Sequence, residues 1–187
     1  MSKHEMKTTN GVDVSKLEQT VEAVTDEPAA GQFQFRAETE WTDALQSVTR
    51  IEDFDQAGET IHGRTFEIEG DEPMEILGER TAPNAVELLL SAIGSCLTVG
   101  YAAHAAGMGI ELDSLRLEMD GDVDLQGFLG ISEDVRPGYE HVNCTVYVES
   151  EASTEELADL RDVVEATSPL LDNVRNGVTV ETEHVAN

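Results

Sequence analysis

The chain has 187 residues and a formal net charge of −28, from 39 acidic against 11 basic side chains. Such a surface repels nucleic-acid phosphates and anionic lipid headgroups, which excludes both as partners. The acidic residues are spread through every segment, which favours adaptation to a salt-rich, halophilic cytoplasm where ions screen self-repulsion, over an ordinary acidic protein. Two cysteines do not build a disulfide scaffold and no signal-peptide pattern opens the chain, so we expect a cytoplasmic protein.

A short helical arm is predicted at the start of the chain. Ser15 followed three residues later by Glu18 is a capping-box pattern, and apolar residues recur at helical spacing over residues 16–24. We therefore assign residues 1–30 to an N-terminal arm and residues 31–187 to the main domain.

Alternation with a period of two predicts the first strands of that domain. Residues 32–50 fit two strands with a tight connection, residues 55–58 a loop, and residues 64–69 a third strand. A three-stranded meander is therefore expected before the longest apolar stretch.

That apolar stretch, residues 82–109, predicts a helix that begins near Pro83 and stops at Gly109. It is apolar or small on nearly every face, which indicates burial. Its uncharged run, residues 88–103, holds 16 residues, and crossing a bilayer takes about 20, so a core helix is favoured over a membrane helix. One small domain cannot cover such a helix on all sides, so we expect a dimer interface.

Two further strands are predicted after this helix, around residues 115–119 and 142–148. Residues 120–124 resemble the start of a calcium-binding loop. The sixth and twelfth positions lack the Gly and Glu that such a loop requires, so a solvated turn is expected. Cys144 lies in an apolar row of the second strand, where a packing role is expected.

The last part of the chain predicts two helices in series and one strand. Ser153 with Glu156 forms a second capping box, and Ser168 followed by Pro169 is typical of a new helix start. A strand is expected to open at Val178. Strands and helices thus come in blocks, which indicates an α+β fold with antiparallel sheet.

The thiol of Cys96, in the middle of the apolar helix, is the one candidate for chemistry. The five histidines lack metal-ligand spacing and no nucleotide-binding fingerprint occurs, so neither a metal nor a cofactor is expected. On an ideal helix Glu87 lies opposite Cys96 and His104 lies about two turns away. The same-face neighbours of Cys96 are apolar, which keeps a thiol protonated and inert unless an arginine or a helix start elsewhere in the fold activates it. The alternative is that Cys96 is a buried small hydrophobe.

Residues 11–185 resemble the OsmC/Ohr family of osmotically inducible and organic-hydroperoxide-resistance proteins. The order and spacing of several short segments carry the resemblance: Phe35-Arg36 leading to Glu40-Trp41, Asp71-Glu72-Pro73, Pro83 to Cys96, Leu125 to Gly130, and Ser168 to Asp172. The resemblance implies an OsmC-like fold, with antiparallel sheets wrapped around long central helices in an intertwined homodimer. It also implies thiol peroxidase activity in the members that keep both cysteines.

The resemblance also assigns roles to residues. Cys96 matches the family's peroxidatic cysteine, while Ser168 stands where the resolving cysteine would be. The family's acidic residue falls at Val86 or Glu87, and its arginine at Arg36 or Arg50.

Two functions are therefore expected as alternatives. The first is an organic hydroperoxide reductase for stress defence that uses Cys96, a small-molecule hydroperoxide and an external thiol reductant. The second is a non-catalytic, OsmC-like binding or structural protein that holds an apolar ligand.

Overall fold

A computed structural model describes residues 8–186, which contain five α-helices and ten β-strands. The helices are α1 Val14–Asp26, α2 Ala85–Met108, α3 Leu125–Phe128, α4 Thr154–Thr167 and α5 Pro169–Asn176. The strands are β1 Thr8–Thr9, β2 Val12–Asp13, β3 Phe33–Gln34, β4 Glu38–Asp43, β5 Gln46–Ile51, β6 Phe54–Gln56, β7 Glu59–Ile61, β8 Phe66–Gly70, β9 Ser114–Gly121 and β10 Val142–Glu149. Strands β3 to β10 pair antiparallel, so the predicted α+β class is confirmed.

The described chain divides into two compact units. One unit holds residues 13–89 and the other holds residues 8–12 with residues 90–186. Helix α2 starts in the first unit and continues into the second. The predicted arm, residues 1–30, contains α1, while its first seven residues lie outside the described part of the chain.

Two three-stranded sheets make up most of the first unit. Strands β4, β5 and β8 form the predicted meander, in the order β4-β5-β8. The second sheet, in the order β3-β6-β7, corrects the predicted loop at residues 55–58: residues 55–56 belong to β6, and residues 57–58 are the turn of the β6–β7 hairpin. Ala57 and Gly58 both have positive φ, 51° and 83°. A turn of this kind favours Asn-Gly or Asp-Gly, and alanine in its first position conceals the signal.

The start of α1 differs from the prediction. Asp13, not Ser15, is the N-cap, because its carboxylate accepts a hydrogen bond from the N–H of Lys16. Ser15 instead donates its hydroxyl proton to Asp13 at 2.7 Å. Aspartate and serine cap helices about equally well, so the pattern alone does not decide between two such residues that lie close together.

A loop clamped by one buried carboxylate leads from β8 to α2. Asp71 is only 3 % exposed and accepts hydrogen bonds from the N–H groups of Glu72 at 2.7 Å and Thr81 at 2.9 Å, and from the Thr81 hydroxyl at 2.8 Å. These bonds, led by that from the Thr81 N–H, outweigh burial and lower the pKa of Asp71 to about 2. Inside the loop, a Cβ at Gly78 would lie 1.8 Å from the Glu72 carbonyl oxygen, so only glycine fits.

Helix α2 begins two residues after Pro83, which corrects the predicted start. Asn84 accepts a hydrogen bond from the N–H of Glu87 at 2.9 Å, and Glu87 accepts one from the N–H of Asn84 at 2.8 Å. This reciprocal pair starts the helix in place of proline. By length and composition α2 could cross a membrane, a property that core helices of soluble proteins share.

One face of α2 is buried in the second unit, and its buried residues are Ile93, Gly94, Leu97, Tyr101, Ala105 and Ala106. A Cβ at Gly94 would lie 2.5 Å from the Cε of Met119 on β9, and one at Gly100 would lie 3.1 Å from Val164 on α4. The two glycines thus let the sheet and α4 approach the helix closely. On another face Val99 is 66 % exposed, so one chain does not bury α2 on all sides.

The second unit confirms most of the predicted order. Strands β9 and β10 pair along their whole length, and α4 starts with the predicted capping box of Ser153 and Glu156. The turn predicted at residues 120–124 is corrected: residues 120–121 are the end of β9, and residues 122–124 connect it to the short helix α3. The strand expected at Val178 is wrong: residues 177–186 form neither helix nor strand. Their alternating pattern has no strand beside it in the described chain, and a strand needs a hydrogen-bonded neighbour.

Candidate functional site: a cysteine at a helix start

The Cys96 thiol and the Ser168 hydroxyl are in contact. Cys96 lies midway along α2 and is half-buried, and its Sγ lies 3.3 Å from the Oγ of Ser168. Ser168 is 6 % exposed and lies between the last residue of α4 and the first residue of α5. The contact joins two residues that are 72 positions apart in the chain.

The hydrogen bonds of Ser168 determine what it can offer to the sulfur. Its Oγ accepts the N–H of Leu171 at 3.3 Å, as the N-cap of α5. The hydroxyl proton is then available to the sulfur, and a thiolate at Cys96 would accept it. The first turn of α5 adds the positive end of the helix dipole on the same side. The sulfur of Cys96 thus has a hydroxyl group and the start of a helix beside it.

The other cysteine lies on a different side of α2. Cys144 pairs directly with Met119 across the sheet, and Met119 packs on Gly94. Gly94 and Cys96 are two residues apart, which places them about 200° apart around the helix. Cys144 is exposed in the single chain, so the expected packing role is not seen there; partial desolvation, with a smaller effect of the negative charge of Glu165, raises the pKa of its thiol. Cys144 is thus poorly placed to resolve an oxidised Cys96 of the same chain.

Both candidate arginines belong to the unit of residues 13–89, and each forms at least one ion pair with a carboxylate. Arg36 forms an ion pair with Asp55, and Arg50 bonds Glu40 at 2.7 Å and Glu67 at 3.0 Å. These hydrogen bonds raise the pKa of both guanidinium groups. Arg36 and Arg50 line one cavity of about 420 Å³, so the sequence alternatives lie at the same place.

Glu87 is held in the capping box at the start of α2. Nine residues separate it from Cys96, so the two side chains leave the helix on opposite sides, as the sequence predicts. Among the residues that the structure describes, no three His, Cys, Asp or Glu side chains are placed to hold a metal ion.

The structure brings together one pair of residues, His104 and Thr167, that no sequence pattern links. The Nε2 of His104, on α2, lies 2.9 Å from the Oγ1 of Thr167, the residue before Ser168. A lone histidine on an apolar helix is the signal that could have drawn attention to it. Its partner lies 63 residues away, and no local pattern reveals it.

Comparison with known proteins identifies relatives of this arrangement. The family model described as OsmC-like protein matches residues 78–183, more than half of the chain. Curated protein sequences show no match.

Three solved structures have a similar fold. An OsmC-like protein from Mycoplasma pneumoniae has 15% identity and a TM-score of 0.59, over 76% of this chain and 87% of that one. An organic hydroperoxide resistance protein OsmC from Legionella pneumophila has 12% identity and a TM-score of 0.52, over 77% and 90%. A Vibrio cholerae protein named for organic hydroperoxide resistance, with captopril in one of its active sites, has 15% identity and a TM-score of 0.51, over 75% and 84%. At these identities the likeness concerns the fold.

Proposed function

Because the chain belongs to the OsmC-like protein family, we propose that it is a thiol-dependent peroxidase that reduces organic hydroperoxides through Cys96. The observation that carries the proposal is the 3.3 Å contact between the Cys96 sulfur and the hydroxyl of Ser168, the N-cap of α5. The names of two similar structures, from Legionella pneumophila and Vibrio cholerae, point to the same substrate class.

The first chemical step is an attack of the Cys96 thiolate on the hydroperoxide. The sulfur bonds to the terminal peroxide oxygen, the O–O bond breaks, and the alkoxide takes up a proton and leaves as an alcohol. Cys96 is left as a sulfenic acid. The Ser168 hydroxyl would stabilise the thiolate before the attack by donating its proton to the sulfur.

The second step needs a reductant from outside the chain. A hydroxyl at Ser168 cannot form a disulfide, and Cys144 lies on the other side of α2. An external thiol would attack the sulfenic sulfur, release water and leave a mixed disulfide. A second thiol would then attack the mixed disulfide, release the Cys96 thiolate and form a disulfide with the first thiol.

The proposed assembly is a homodimer that works in the cytoplasm. Exposed apolar side chains in both units support it, because Trp41, Val99 and Phe128 are 73 %, 66 % and 72 % exposed in the single chain. A partner chain would cover such surfaces, as the family resemblance implies. A reducing compartment would keep the external thiol available.

The proposed roles of Arg36, Arg50 and Glu87 concern charge. An arginine is proposed to stabilise the anionic thiolate and the leaving alkoxide. Because Arg36 and Arg50 are both paired with carboxylates in this chain, substrate would have to compete with Asp55, or with Glu40 and Glu67, for the guanidinium. Glu87 is proposed as the family's acidic residue. It would act by interacting with the arginine and not with the Cys96 sulfur.

The test is consumption of cumene hydroperoxide by the purified protein with dithiothreitol as reductant. We expect turnover in the parent protein, loss of turnover in Cys96→Ser, and full turnover in the matched control Cys144→Ser. Mass spectrometry with a sulfenic-acid trapping reagent should mark Cys96 after one equivalent of hydroperoxide. Equal turnover in Cys96→Ser and the parent would overturn the proposal.

A non-catalytic binding protein is the second candidate. Ser168 in place of a second thiol, and two arginines already paired with carboxylates, favour it. The same variants separate the candidates. A binding protein would take up an apolar fluorescent probe equally well in the parent and in Cys96→Ser, with no hydroperoxide consumed by either.

A further inference from the structure

The hydrogen bonds of Thr167 determine which ring nitrogen of His104 carries a proton. Thr167 donates its hydroxyl proton to the carbonyl oxygen of Val163 at 2.7 Å. A hydroxyl has only one proton, so at the 2.9 Å contact Thr167 accepts, and the Nε2 of His104 donates. This assigns the proton to Nε2 in the neutral ring, and the protonated ring carries a proton there as well.

The bond ties α2 to the junction between α4 and α5. His104 lies eight residues after Cys96, which is about 12 Å further along the helix and about 80° around it. It therefore does not touch the sulfur. Thr167 is the last residue of α4 and is followed by Ser168, whose hydroxyl does touch the sulfur. Two consecutive junction residues are thus anchored at two points of α2 that are about two turns apart.

Packing between the two anchors is close but not directional. Val164, 1 % exposed, lies over Gly100, and an added Cβ there would come within 3.1 Å of it. Apolar contacts of this kind fix the distance between two helices but leave the orientation of a hydroxyl free. Hydrogen bonds to Thr167 and Ser168 supply that direction.

We propose that His104 is a positioning residue for the site, which holds Thr167 so that the Ser168 hydroxyl and the start of α5 stay against the Cys96 sulfur. This inference rests on the proposed function, because a positioned donor matters only for a thiol that reacts. Both forms of the ring donate through Nε2, so the positioning does not depend on the protonation of His104.

The experiment measures alkylation of Cys96 by iodoacetamide across pH, in a Cys144→Ser background where one thiol reacts. Alkylation reports the thiolate and needs no peroxide. His104→Phe keeps a ring without the donor, and Thr167→Val keeps the shape without the acceptor. His104→Gln and Thr167→Ser are the matched controls, because each keeps the hydrogen-bonding group.

We expect His104→Phe and Thr167→Val each to slow alkylation at pH 7 by about threefold to tenfold, with the rise in rate displaced to higher pH. The double variant should be no slower than the slower single one, since both changes break one bond. The matched controls should stay within about twofold of the parent protein. Circular dichroism establishes that each variant is folded.

A His104→Phe profile that superimposes on the parent profile would overturn the inference. So would losses that multiply in the double variant, because they would show two independent effects. Failure of the proposed function is seen separately: the parent protein would then consume no hydroperoxide while its alkylation still depended on His104.

Discussion

The sulfur of Cys96 and the hydroxyl of Ser168 lie 3.3 Å apart in the structure, although 72 positions separate them in the chain. A thiol at position 168 would stand where the hydroxyl stands. We therefore expect Ser168→Cys, in a Cys144→Ser background, to form a disulfide with Cys96 when hydroperoxide is added. Attack of the new thiol on the sulfenic sulfur forms that bond and releases water.

Mass spectrometry under non-reducing conditions measures this bond as a loss of two hydrogens and a cross-linked peptide pair. The parent protein with Cys144→Ser is the control and should show none. Absence of the bond at full oxidation of Cys96 would contradict the placement of α5 against α2.

The hydroxyl of Ser168 is expected to matter more for reactivity than for folding. Ser168→Ala removes an N-cap and the proton offered to sulfur, and Ser153→Ala removes only an N-cap, that of α4. Both should lose about 1 kcal/mol of unfolding free energy. Only Ser168→Ala should slow alkylation of Cys96, by about tenfold, since a hydrogen bond to a charged group is lost. Denaturant titration and alkylation kinetics measure the two effects. Equal slowing in Ser153→Ala would show that loss of stability explains the result.

The carboxylate of Asp71 is expected to hold its loop down to acidic pH. Its pKa is lowered from 3.8 to about 2, so its stabilising effect is complete above pH 4 and is lost as the pH falls towards 2. Asp71→Asn cannot accept all these hydrogen bonds and should lower the melting temperature at pH 7 by several degrees.

The control for Asp71→Asn is Glu69→Gln, which removes one exposed charge from the same strand end. The difference in melting temperature between Asp71→Asn and the parent protein should shrink between pH 4 and pH 2. A difference that grows as the pH falls would have the wrong sign for a carboxylate with a lowered pKa.

The exposed face of α2 is expected to lie in a dimer interface. A buried charge without a partner strongly destabilises an interface, so Val99→Asp should shift the protein towards monomer. Sedimentation velocity measures the change in mass. Val185→Asp, a matched change in the segment after α5, should leave the assembly unchanged. A monomeric parent protein at micromolar concentration would contradict the prediction.

Salt is expected to stabilise the protein. With a net charge of −28, self-repulsion opposes the folded state, and ions screen it more as the Debye length falls from about 10 Å at 0.1 M to about 3 Å at 1 M. The melting temperature should rise steeply over this range in KCl. A sucrose series of equal osmolality is the control, because sucrose does not screen charge. Equal rises in sucrose and KCl would contradict an electrostatic origin.

Local signals in the sequence predicted the elements well where a single residue decides. The capping box at Ser153 and the start of α5 at Ser168 are examples, because a side chain and a backbone N–H three residues away settle each one. The β6–β7 hairpin was missed because Ala57 gives no sign of its positive φ. The strand at Val178 was predicted from alternation alone, which says nothing about whether a neighbouring strand exists.

The candidate site was predictable only in part. Sequence patterns identified Cys96 and the helix start at Ser168 separately. The family resemblance implied that the two lie close together. The role of His104 depends on a contact between distant residues and on the hydrogen-bond count of Thr167, which only coordinates provide. The choice between Arg36 and Arg50 concerns two residues that line one cavity, one between β3 and β4 and the other on β5, so no local pattern separates them.

The two glycines of α2 have a consequence for the evolution of this protein. At Gly94 the sheet touches the helix through Met119, and at Gly100 helix α4 touches it through Val164; Cys96 lies between the two glycines in the chain. Each close approach is possible because glycine has no Cβ. A Cβ at Gly94 would meet the mobile end of the Met119 side chain, whereas a Cβ at Gly100 would require α4, the helix that leads to Ser168, to give by a few tenths of an ångström at Val164. The distance between the Cys96 thiol and the Ser168 hydroxyl can therefore change through a substitution at Gly100, without any change to a polar residue.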